Sequence, residues 1–257
     1  MEDNYESFKR SVLQLTGIDL NAYKENQMKR RIDSLIQRSK LHGYQEYIRV
    51  LRLDNEKLEE FKGYITINVS EFFRNAEQWV TLNEKILPMI KREDGIKVWS
   101  AACSTGDEPY SATMLLAEHY PLSKIKILAT DIDKQVLHKA RSGLYSDKSL
   151  KGLPAQMRLK YFEPKGDGIF EISGDIRKCV NFREHDLLNS SYPMDFDLII
   201  CRNVLIYFTD EAKTAVFKRF SSSLKNDGIL FLGSTEQILY PKEVGFVPIS
   251  SFFYKKL

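Results

Sequence analysis

The chain has 257 residues, 43% of them hydrophobic, which is enough for one large domain with a smaller attachment and a sizeable core. Its 38 Lys and Arg residues against 35 Asp and Glu residues give a net charge of +3, too small by itself to imply a nucleic-acid-binding protein. Three cysteines without Cys-x-x-Cys spacing, the lack of a secretory signal pattern and the lack of a long uncharged run favour a cytoplasmic protein that is neither exported nor inserted in a membrane.

The first part of the chain has the hydrophobic periodicity of helices. Apolar residues recur at helical spacing in three groups, which are Phe8, Val12 and Leu15, then Met28, Ile32, Leu35 and Ile36, then Leu51, Leu58 and Phe61. No strand pattern interrupts them, so residues 1–75 are predicted to form a small all-α domain. Beside the second group, Lys24, Arg31 and Arg38 recur every seven residues and are predicted to form one basic stripe on a helix.

From about residue 96, strand-like runs alternate with helical stretches. The runs cover residues 96–100, 125–130, 196–201 and 228–233. This alternation predicts an α/β domain over residues 76–257 with a mostly parallel sheet, entered through a joining helix over residues 77–91. Residues 246–254 are predicted to pair with residues 229–232 and to close the sheet as an antiparallel hairpin. The turn-rich residues 161–180 predict a short antiparallel β-insertion.

The most informative motif lies in the first β-α-β unit. Residues 98–110 read as a strand, a tight loop of small residues and the start of a helix, and Asp131 ends the next strand. Such a unit places a nucleotide-like ligand at the carboxyl ends of the strands, with the acid on the ribose hydroxyls. Because Gly106 is the loop's one glycine, we expect a ligand with adenosine but no pyrophosphate, and S-adenosylmethionine (SAM) is the common one. The alternative for Asp131 is that it merely caps the following helix.

Other polar residues sit where a ligand is expected, and each has a plainer interpretation. Arg202 and Asn203 directly follow an apolar strand, at the edge where open α/β sheets bind ligands. Glu108 lies in a first helical turn, where the helix dipole favours carboxylates whether or not a ligand is bound. Tyr207 is either a functional phenol or a buried aromatic whose hydroxyl has found a partner.

The histidines have no paired ligand spacing and do not cluster with the cysteines, so we expect no metal site. Cys103, inside the glycine-poor loop, is expected to be a small packing residue rather than a nucleophile.

Four motifs in this order resemble the chemotaxis receptor methyltransferases, the CheR family. They are Asn68-Val-Ser-Glu-Phe-Phe-Arg74, Ser100-Ala-Ala-Cys-Ser-Thr-Gly-Asp-Glu-Pro-Tyr-Ser111, Ala129-Thr-Asp-Ile-Asp133 and Cys201-Arg-Asn-Val-Leu-Ile-Tyr-Phe208. The resemblance covers nearly the whole chain. It implies a Rossmann-like SAM-dependent O-methyltransferase that esterifies glutamate side chains on the cytoplasmic helices of membrane chemoreceptors, with S-adenosylhomocysteine (SAH) as the other product.

The resemblance also implies which residues contact the cofactor, namely Asn68, Ser70, Arg74, Glu108, Asp131, Asp186, Leu187, Arg202 and Asn203. Ser70 replaces the threonine usual at its position and keeps the hydroxyl, and Asp186 stands where an asparagine is common. In relatives the β-insertion can bind a short peptide at the carboxyl terminus of the receptor.

The chemistry of a glutamate acceptor agrees with these residues. A glutamate carboxylate is already ionised at neutral pH, so methyl transfer to it needs alignment rather than a general base. Arg74 and Tyr207 are the catalytic candidates, because a guanidinium and a phenol can orient a carboxylate through hydrogen bonds. The basic stripe of Lys24, Arg31 and Arg38 would dock a glutamate-rich receptor bundle, unless it is only a solvated helix face.

Two other functions remain as alternatives. A methyltransferase acting on a nucleic-acid base is disfavoured, because such enzymes usually carry an Asn-Pro-Pro-Tyr-like loop where this chain has Cys201-Arg-Asn-Val204. A non-catalytic SAM-binding adaptor is the other alternative, since a fold alone does not establish catalysis. We therefore expect chemoreceptors, and no nucleic acid, as partners.

Overall fold

The computed structural model describes residues 4–90 and 92–257. Within these residues the chain packs into two compact units. One unit comprises the described residues up to Asn68 together with Leu205–Ala215, and the other comprises Val69–Val204 and Val216–Leu257. The units divide at Asn68, earlier than the sequence-based boundary near residue 75.

The first unit is helical, as its periodicity predicts. Its main helices are α1 (Tyr5–Thr16), α2 (Glu25–Arg38), α3 (Tyr44–Leu53) and α4 (Asn55–Ile65). Local residues set the ends of these helices. The Asn4 side chain accepts a hydrogen bond from the Ser7 amide and begins α1, and Gly17 ends it in the left-handed conformation that favours glycine. Asp54 caps α4 in the same way as Asn4 caps α1.

The core of this unit is built from the predicted apolar faces. Met28, Ile32, Leu35 and Ile36 of α2 are all buried, which confirms the face predicted for that helix. Phe8 of α1 lies edge-on against Phe61 of α4, with ring centroids 6.2 Å apart. Burying these side chains stabilises each helix more than its intrinsic propensity does.

The second unit alternates strands and helices. Its strands are β1 (Ile96–Ala101), β2 (Ile125–Asp131), β3 (Leu144–Ser146), β4 (Phe162–Gly166), β5 (Ile169–Ile172), β6 (Val180–Glu184), β7 (Phe196–Cys201), β8 (Leu224–Leu232), β9 (Phe246–Ser250) and β10 (Phe253–Lys256). The remaining helices of the chain are α5 (Ala76–Thr81), α6 (Leu87–Ile90), α7 (Asp107–Leu116), α8 (Lys134–Ser142), α9 (Ala155–Tyr161), α10 (Gly174–Lys178) and α11 (Asp210–Ser223).

In the described part of the chain the large sheet has seven strands in the order β6-β2-β1-β7-β8-β10-β9. The first five run parallel, and β10 pairs antiparallel with both β8 and β9. This confirms the predicted parallel sheet with a closing antiparallel hairpin. The single strand predicted over residues 246–254 is wrong in detail, because the chain turns near Phe252, which has a φ of 68°, and forms two strands.

The predicted β-insertion is present and is larger than expected. It is a three-stranded antiparallel sheet in the order β3-β5-β4. The prediction missed β3, because a three-residue strand has too short a pattern to stand out, and it missed β6, which joins the large sheet at its edge.

The central strands of the large sheet are mostly apolar, as strands covered on both faces are, although β7 also contains the buried Asp197. Every residue of β7 is buried. Trp99 of β1 is fully buried, and its indole nitrogen donates a hydrogen bond to Thr130 Oγ1 at 2.9 Å.

The joining helix predicted over residues 77–91 consists of α5, a π-helical turn at Leu82–Ile86, and α6. Its predicted last residue, Lys91, lies outside the described residues. None of the helices described in the structure is long and apolar enough to cross a membrane.

Four neighbouring strands place their carboxyl ends along one edge of the large sheet. Parallel β6, β2, β1 and β7 end at Glu184, Asp131, Ala101 and Cys201. The order of connections reverses between β1 and β7, and ligands of open α/β sheets bind at such a point.

Candidate functional site

The loop that joins β1 to α7 is tightly folded. Ala102, Ser104 and Gly106 all have positive φ angles, of 67°, 48° and 91°. A Cβ atom on Gly106 would lie 3.0 Å from both the Ala140 Cβ and the Tyr145 hydroxyl, so only glycine fits here without displacing a neighbour. The small residues of the motif therefore let this loop approach α8 and the β-insertion closely.

Asp131 lies at the carboxyl end of β2 and is buried. Its two carboxylate oxygens accept hydrogen bonds from the Ser104 amide at 2.8 Å and from the Asp133 amide at 3.1 Å. Burial raises the pKa of Asp131 to about 6, and these hydrogen bonds oppose that rise. The cap of α8 is Asp133, whose side chain accepts from the Gln135 amide, so Asp131 is not used as the helix cap.

Glu108 lies in the first turn of α7, behind the same loop. Ser100 Oγ donates to Glu108 Oε1 at 2.8 Å, and Arg202 Nη1 lies 3.7 Å from Glu108 Oε2. Burial raises the pKa of Glu108 to about 7, while the charge of Arg202 and the Ser100 hydrogen bond lower it. The carboxyl group is therefore poised to ionise fully when further positive charge comes close.

Arg202 directly follows β7, and its side chain is almost fully buried. Its Nη2 atom donates to the Arg74 carbonyl at 2.6 Å, to Asn75 Oδ1 at 3.1 Å and to Gln78 Oε1 at 2.7 Å. The guanidinium also lies over the rings of Trp79 and Phe231. Arg202 thus fastens the turn before α5 to the end of β7.

That turn carries Arg74 between two residues with left-handed backbone. Phe73 and Asn75 have φ angles of 50° and 59°, and the bulky Phe73 is unusual in this region. The Phe73 amide donates to Ser111 Oγ at 3.0 Å, which helps to hold the turn. The Arg74 side chain is partly exposed, and its Nη1 atom donates to the Val69 carbonyl at 3.3 Å.

Three further residues implied by the resemblance also belong to this unit. Asp186 already uses its carboxylate in a turn, because it accepts from the Leu188 amide at 2.7 Å and from Asn189 Nδ2 at 2.8 Å. Leu187 is buried, so it offers apolar surface. The Ser70 hydroxyl hydrogen-bonds Asp107, and this bond lowers a carboxyl pKa that burial raises.

Asn203 belongs to the same unit, and its amide donates to Glu236 Oε2 at 2.8 Å. The helical unit contains Asn68 and the catalytic candidate Tyr207. Asn68 Nδ2 donates to Thr66 Oγ1 at 3.1 Å. Tyr207 ends the short 3₁₀ helix Leu205–Tyr207, and its carbonyl accepts from the Lys24 amide at 2.8 Å. Tyr207 is partly exposed rather than fully buried, which leaves a functional role for its phenol possible.

Two of the three residues in the basic stripe are exposed. Lys24 precedes α2 as its N-cap and is exposed, as is Arg38. Arg31 is half-buried, and its Nη2 atom donates to the Tyr64 carbonyl at 2.5 Å. The guanidinium groups of Arg31 and Arg38 lie 4.8 Å and 5.9 Å from the centroid of the Tyr64 ring. Arg31 therefore also ties α2 to the end of α4.

Several residues around Glu108 and Arg202 were not predicted from the sequence. They are Asn75, Gln78, Ser100, Ser104 and Glu236. Ser100 and Ser104 lie inside a recognised motif, but the other three come from segments without a motif of their own. Their role becomes visible only when β7, β8 and α5 are packed together.

The donors and acceptors of this site fit SAM. Within the described residues, no hydrogen-bond partner is found for the buried atoms Ser104 Oγ, Gln78 Nε2 and Arg202 Nε. SAM carries ribose hydroxyls, an α-ammonium, an α-carboxylate and a positively charged sulfur. Glu108 and Asp131 are two buried carboxyl groups with raised pKa values, and they offer acceptor oxygens and negative charge of the kind that these donors and the sulfonium require. Across residues 4–90 and 92–257, no group of three or more His, Cys, Asp or Glu side chains could hold a metal ion.

Comparison with known proteins gives consistent matches. Residues 68–252 match the family described as "CheR methyltransferase, SAM binding domain", and residues 3–66 match "CheR methyltransferase, all-alpha domain". A chemotaxis protein methyltransferase of Listeria monocytogenes is 43% identical, over 100% of this chain and 98% of its own. One from Borreliella burgdorferi is 34% identical, over 93% and 89%.

Among solved structures, a TehB-like SAM-dependent methyltransferase from Corynebacterium glutamicum is similar over 71% of this chain and 94% of its own. It shares 14% identity and has a TM-score of 0.40.

Proposed function

The chain belongs to the CheR methyltransferase family, and from this premise we propose that it transfers the methyl group of SAM to glutamate side chains of chemotaxis receptors, forming methyl esters. The family is one of SAM-dependent methyltransferases that act in chemotaxis. The observation that carries the proposal is the group of Glu108, Asp131 and Arg202 at the carboxyl edge of the sheet, in the unit that matches the SAM-binding domain.

SAM, when bound, supplies an electrophilic methyl group on a positively charged sulfur. Asp131 is proposed to accept hydrogen bonds from the ribose hydroxyls, because its carboxylate ends β2 beside the glycine-poor loop. Glu108 is proposed to face the positive charge of the cofactor. The other proposed cofactor contacts are Asn68, Ser70, Arg74, Asp186, Leu187, Arg202 and Asn203.

An acceptor carboxylate needs no catalytic base, so the residues of the chain have to hold it in line. Arg74 is proposed to orient the substrate carboxylate through paired hydrogen bonds, as a guanidinium group does well. Its backbone is fixed by Arg202 and by Trp79, whose Nε1 atom donates to the Arg74 carbonyl at 3.1 Å. A fixed backbone with a partly exposed side chain suits a residue that has to meet a substrate from outside.

Tyr207 is proposed to donate one more hydrogen bond to the acceptor carboxylate. Its hydroxyl belongs to a partly exposed side chain on a short 3₁₀ helix whose backbone pairs with Lys24. A single neutral donor stabilises a carboxylate less than a guanidinium does, so Tyr207 would refine an alignment that Arg74 sets.

The proposed partner is the cytoplasmic helical region of membrane chemoreceptors, and the chain is proposed to act in the cytoplasm. The three cysteines are free thiols, which suits a reducing compartment. The exposed Lys24 and Arg38, with Arg31 between them in sequence, form the proposed docking stripe for glutamate-rich helices.

A transfer assay tests this proposal. The purified protein is incubated with SAM labelled in the methyl group and with membranes that contain several different receptors. Label on the receptor that is released by mild base indicates a carboxyl methyl ester, which is the expected result. Base-stable label would indicate an amine or a nucleic-acid acceptor, and no label would indicate a non-catalytic adaptor.

A further inference from the structure

Glu236 has a buried carboxylate next to the end of β7 and belongs to none of the recognised motifs. Glu236 follows β8, and only 4% of its surface is exposed. Its Oε2 atom accepts from the Asn203 amide at 2.8 Å and from the Gly233 amide at 2.9 Å, and its Oε1 atom accepts from the Val204 amide at 3.0 Å. Each bond joins a carboxylate oxygen to a backbone donor, and bonds of this kind are stronger than bonds between neutral groups.

These bonds hold a left-handed turn of the backbone at Asn203. Asn203 has a φ of 62°, in the left-handed region that most residues avoid and that asparagine adopts more readily than other residues with a side chain. A Cβ atom on Gly233 would lie 2.6 Å from Glu236 Oε2 and 3.0 Å from the Asn203 amide nitrogen. The chain therefore brings the ends of β7 and β8 together so closely that only glycine fits between the carboxylate and Asn203.

The charge of Glu236 also acts on the site. Arg202 is buried beside two acids, since both Glu108 and Glu236 favour its charged form against the effect of burial. Glu236 and Glu108 in turn repel each other, which adds to the raised pKa of Glu108. A neutral residue in place of Glu236 would leave Arg202 with less compensation for its buried charge.

We propose that Glu236 is a positioning residue of the cofactor site, which fixes Arg202 and Asn203 at the carboxyl end of β7 by holding the backbone that follows them. This inference rests on the proposed function, in which Asn203 contacts SAM and Arg202 anchors the Arg74 turn. Glu236 touches neither the cofactor nor the acceptor in this scheme, so it acts through the backbone of Asn203 and Val204.

A comparison of two buried carboxylates tests the inference. Asp197, at the opposite end of β7, is also buried and binds Lys225 Nζ and the Lys97 amide. The variants Glu236→Gln and Asp197→Asn are compared with the wild type for the Kd of SAH by calorimetry and for thermal stability. Glutamine keeps the size of the side chain but replaces one acceptor oxygen with an NH₂ group that faces backbone donors.

The expected result is that Glu236→Gln weakens SAH binding by about tenfold or more, because charge-assisted bonds that hold Asn203 are lost. Asp197→Asn is expected to lower the melting temperature and to leave the Kd of the folded protein unchanged. A Glu236→Gln protein that loses stability but binds SAH like the wild type would overturn the inference, since Glu236 would then have a structural role only.

A second variant covers the case in which Glu236→Gln does not fold. Gly233→Ala keeps the charge of Glu236 and displaces its carboxylate, so it is expected to weaken SAH binding as well, and a wild-type Kd would overturn the inference. Failure of the proposed function is a separate outcome. A wild-type protein that binds SAH but methylates no receptor would contradict the proposed acceptor and leave the effect of Glu236 on SAH binding standing.

Discussion

Arg202 and Glu108 form a buried ion pair in which Arg202 Nη1 lies 3.7 Å from Glu108 Oε2. The separation is longer than that of a direct charge-assisted hydrogen bond, so the attraction compensates the buried carboxylate only in part. Arg202 instead gives its hydrogen bonds to the Arg74 turn. The result is an acid that keeps a raised pKa until a cationic ligand arrives.

The affinity for SAM should depend on pH through Glu108. Its pKa of about 7 means that about half of the carboxyl groups are protonated at neutral pH in the free protein. A bound cation favours the ionised form, so affinity should rise with pH and should be about tenfold weaker one pH unit below the pKa than well above it. Calorimetry with SAM at several pH values, in buffers of different ionisation enthalpy, measures both the Kd and the proton released on binding.

The variant Glu108→Gln is the control for this effect. It should bind SAM more weakly at high pH and should lose most of the pH dependence, with the remainder coming from Asp131. The same variant also tests a second effect of Glu108, the pH dependence of the free energy of unfolding. Because the folded pKa lies above the ordinary value of 4.5, the folded state binds the extra proton between these values, and wild-type stability should fall as pH rises from 4.5 to about 7. A wild-type and a Glu108→Gln protein with parallel pH profiles would contradict the prediction.

Replacing Arg74 with alanine should lower turnover about a hundredfold and should change the Kd for SAH much less, because misalignment of the acceptor mainly affects the transition state. Single-turnover methylation of receptor and calorimetry with SAH separate the two effects. Arg74→Lys is the matched variant, since it keeps the charge but loses the planar pair of donors, and it should recover only part of the activity. Unchanged turnover in Arg74→Ala would remove this residue from the mechanism.

The hydroxyl of Tyr207 should contribute less than Arg74. Tyr207→Phe removes one donor and keeps the ring, so turnover is expected to fall by about tenfold with little change in melting temperature. Receptor methylation at saturating SAM measures the effect. If Tyr207→Phe lowers the melting temperature as much as a core substitution does but leaves turnover unchanged, the phenol has a structural role only.

Charge reversal on the basic stripe should slow receptor methylation and weaken its dependence on salt. The key variant is Arg38→Glu, because Arg38 is exposed, and the double variant Arg31→Glu with Arg38→Glu should have a larger effect. Arg52→Glu makes the same charge change at an exposed position of α3 outside the stripe and is the control. Because Arg31 also binds Tyr64, melting temperatures are measured alongside the rates. Equal rates for the double variant and the wild type would exclude docking by this stripe.

Asp197 should be important for stability alone. Its carboxylate is buried and pairs with Arg92 Nε at 2.8 Å and with Lys225 Nζ at 3.0 Å. Asp197→Ala would leave the Lys97 amide without its acceptor and should lower the free energy of unfolding by about 3 kcal/mol, as measured by urea denaturation. The exposed pair of Lys255 and Asp227 is the comparison, and Asp227→Ala should cost less than about 1 kcal/mol.

Much of the fold follows from local sequence patterns. The apolar face of α2 has the period of a half-buried helix, and β7 is the nearly continuous apolar run of a doubly covered strand, so the buried face of α2 and the bounds of β7 were both predicted. The strand β3 and the division of the terminal segment into β9 and β10 were not, because short strands are defined by their pairing partners rather than by their own composition.

The residues of the site also fall into two groups, those that the sequence could predict and those that it could not. Glu108, Asp131 and Arg202 could be named in advance because each stands where a strand ends or a helix begins, and because the motifs that contain them resemble those of a known family. That Arg202 holds the Arg74 turn through Gln78 could not be named, since the two segments are more than a hundred residues apart in sequence.

The amino-acid sequence by itself determined the fold class, the kind of ligand and the end of the sheet that binds it, because periodicity, glycine content and strand ends are local properties. Only the tertiary structure decided which charges are buried together and which backbone groups they hold. Burial and pairing depend on side chains that converge from distant segments, so the raised pKa of Glu108 and the bonds of Glu236 to Asn203 arise only when the sheet is assembled.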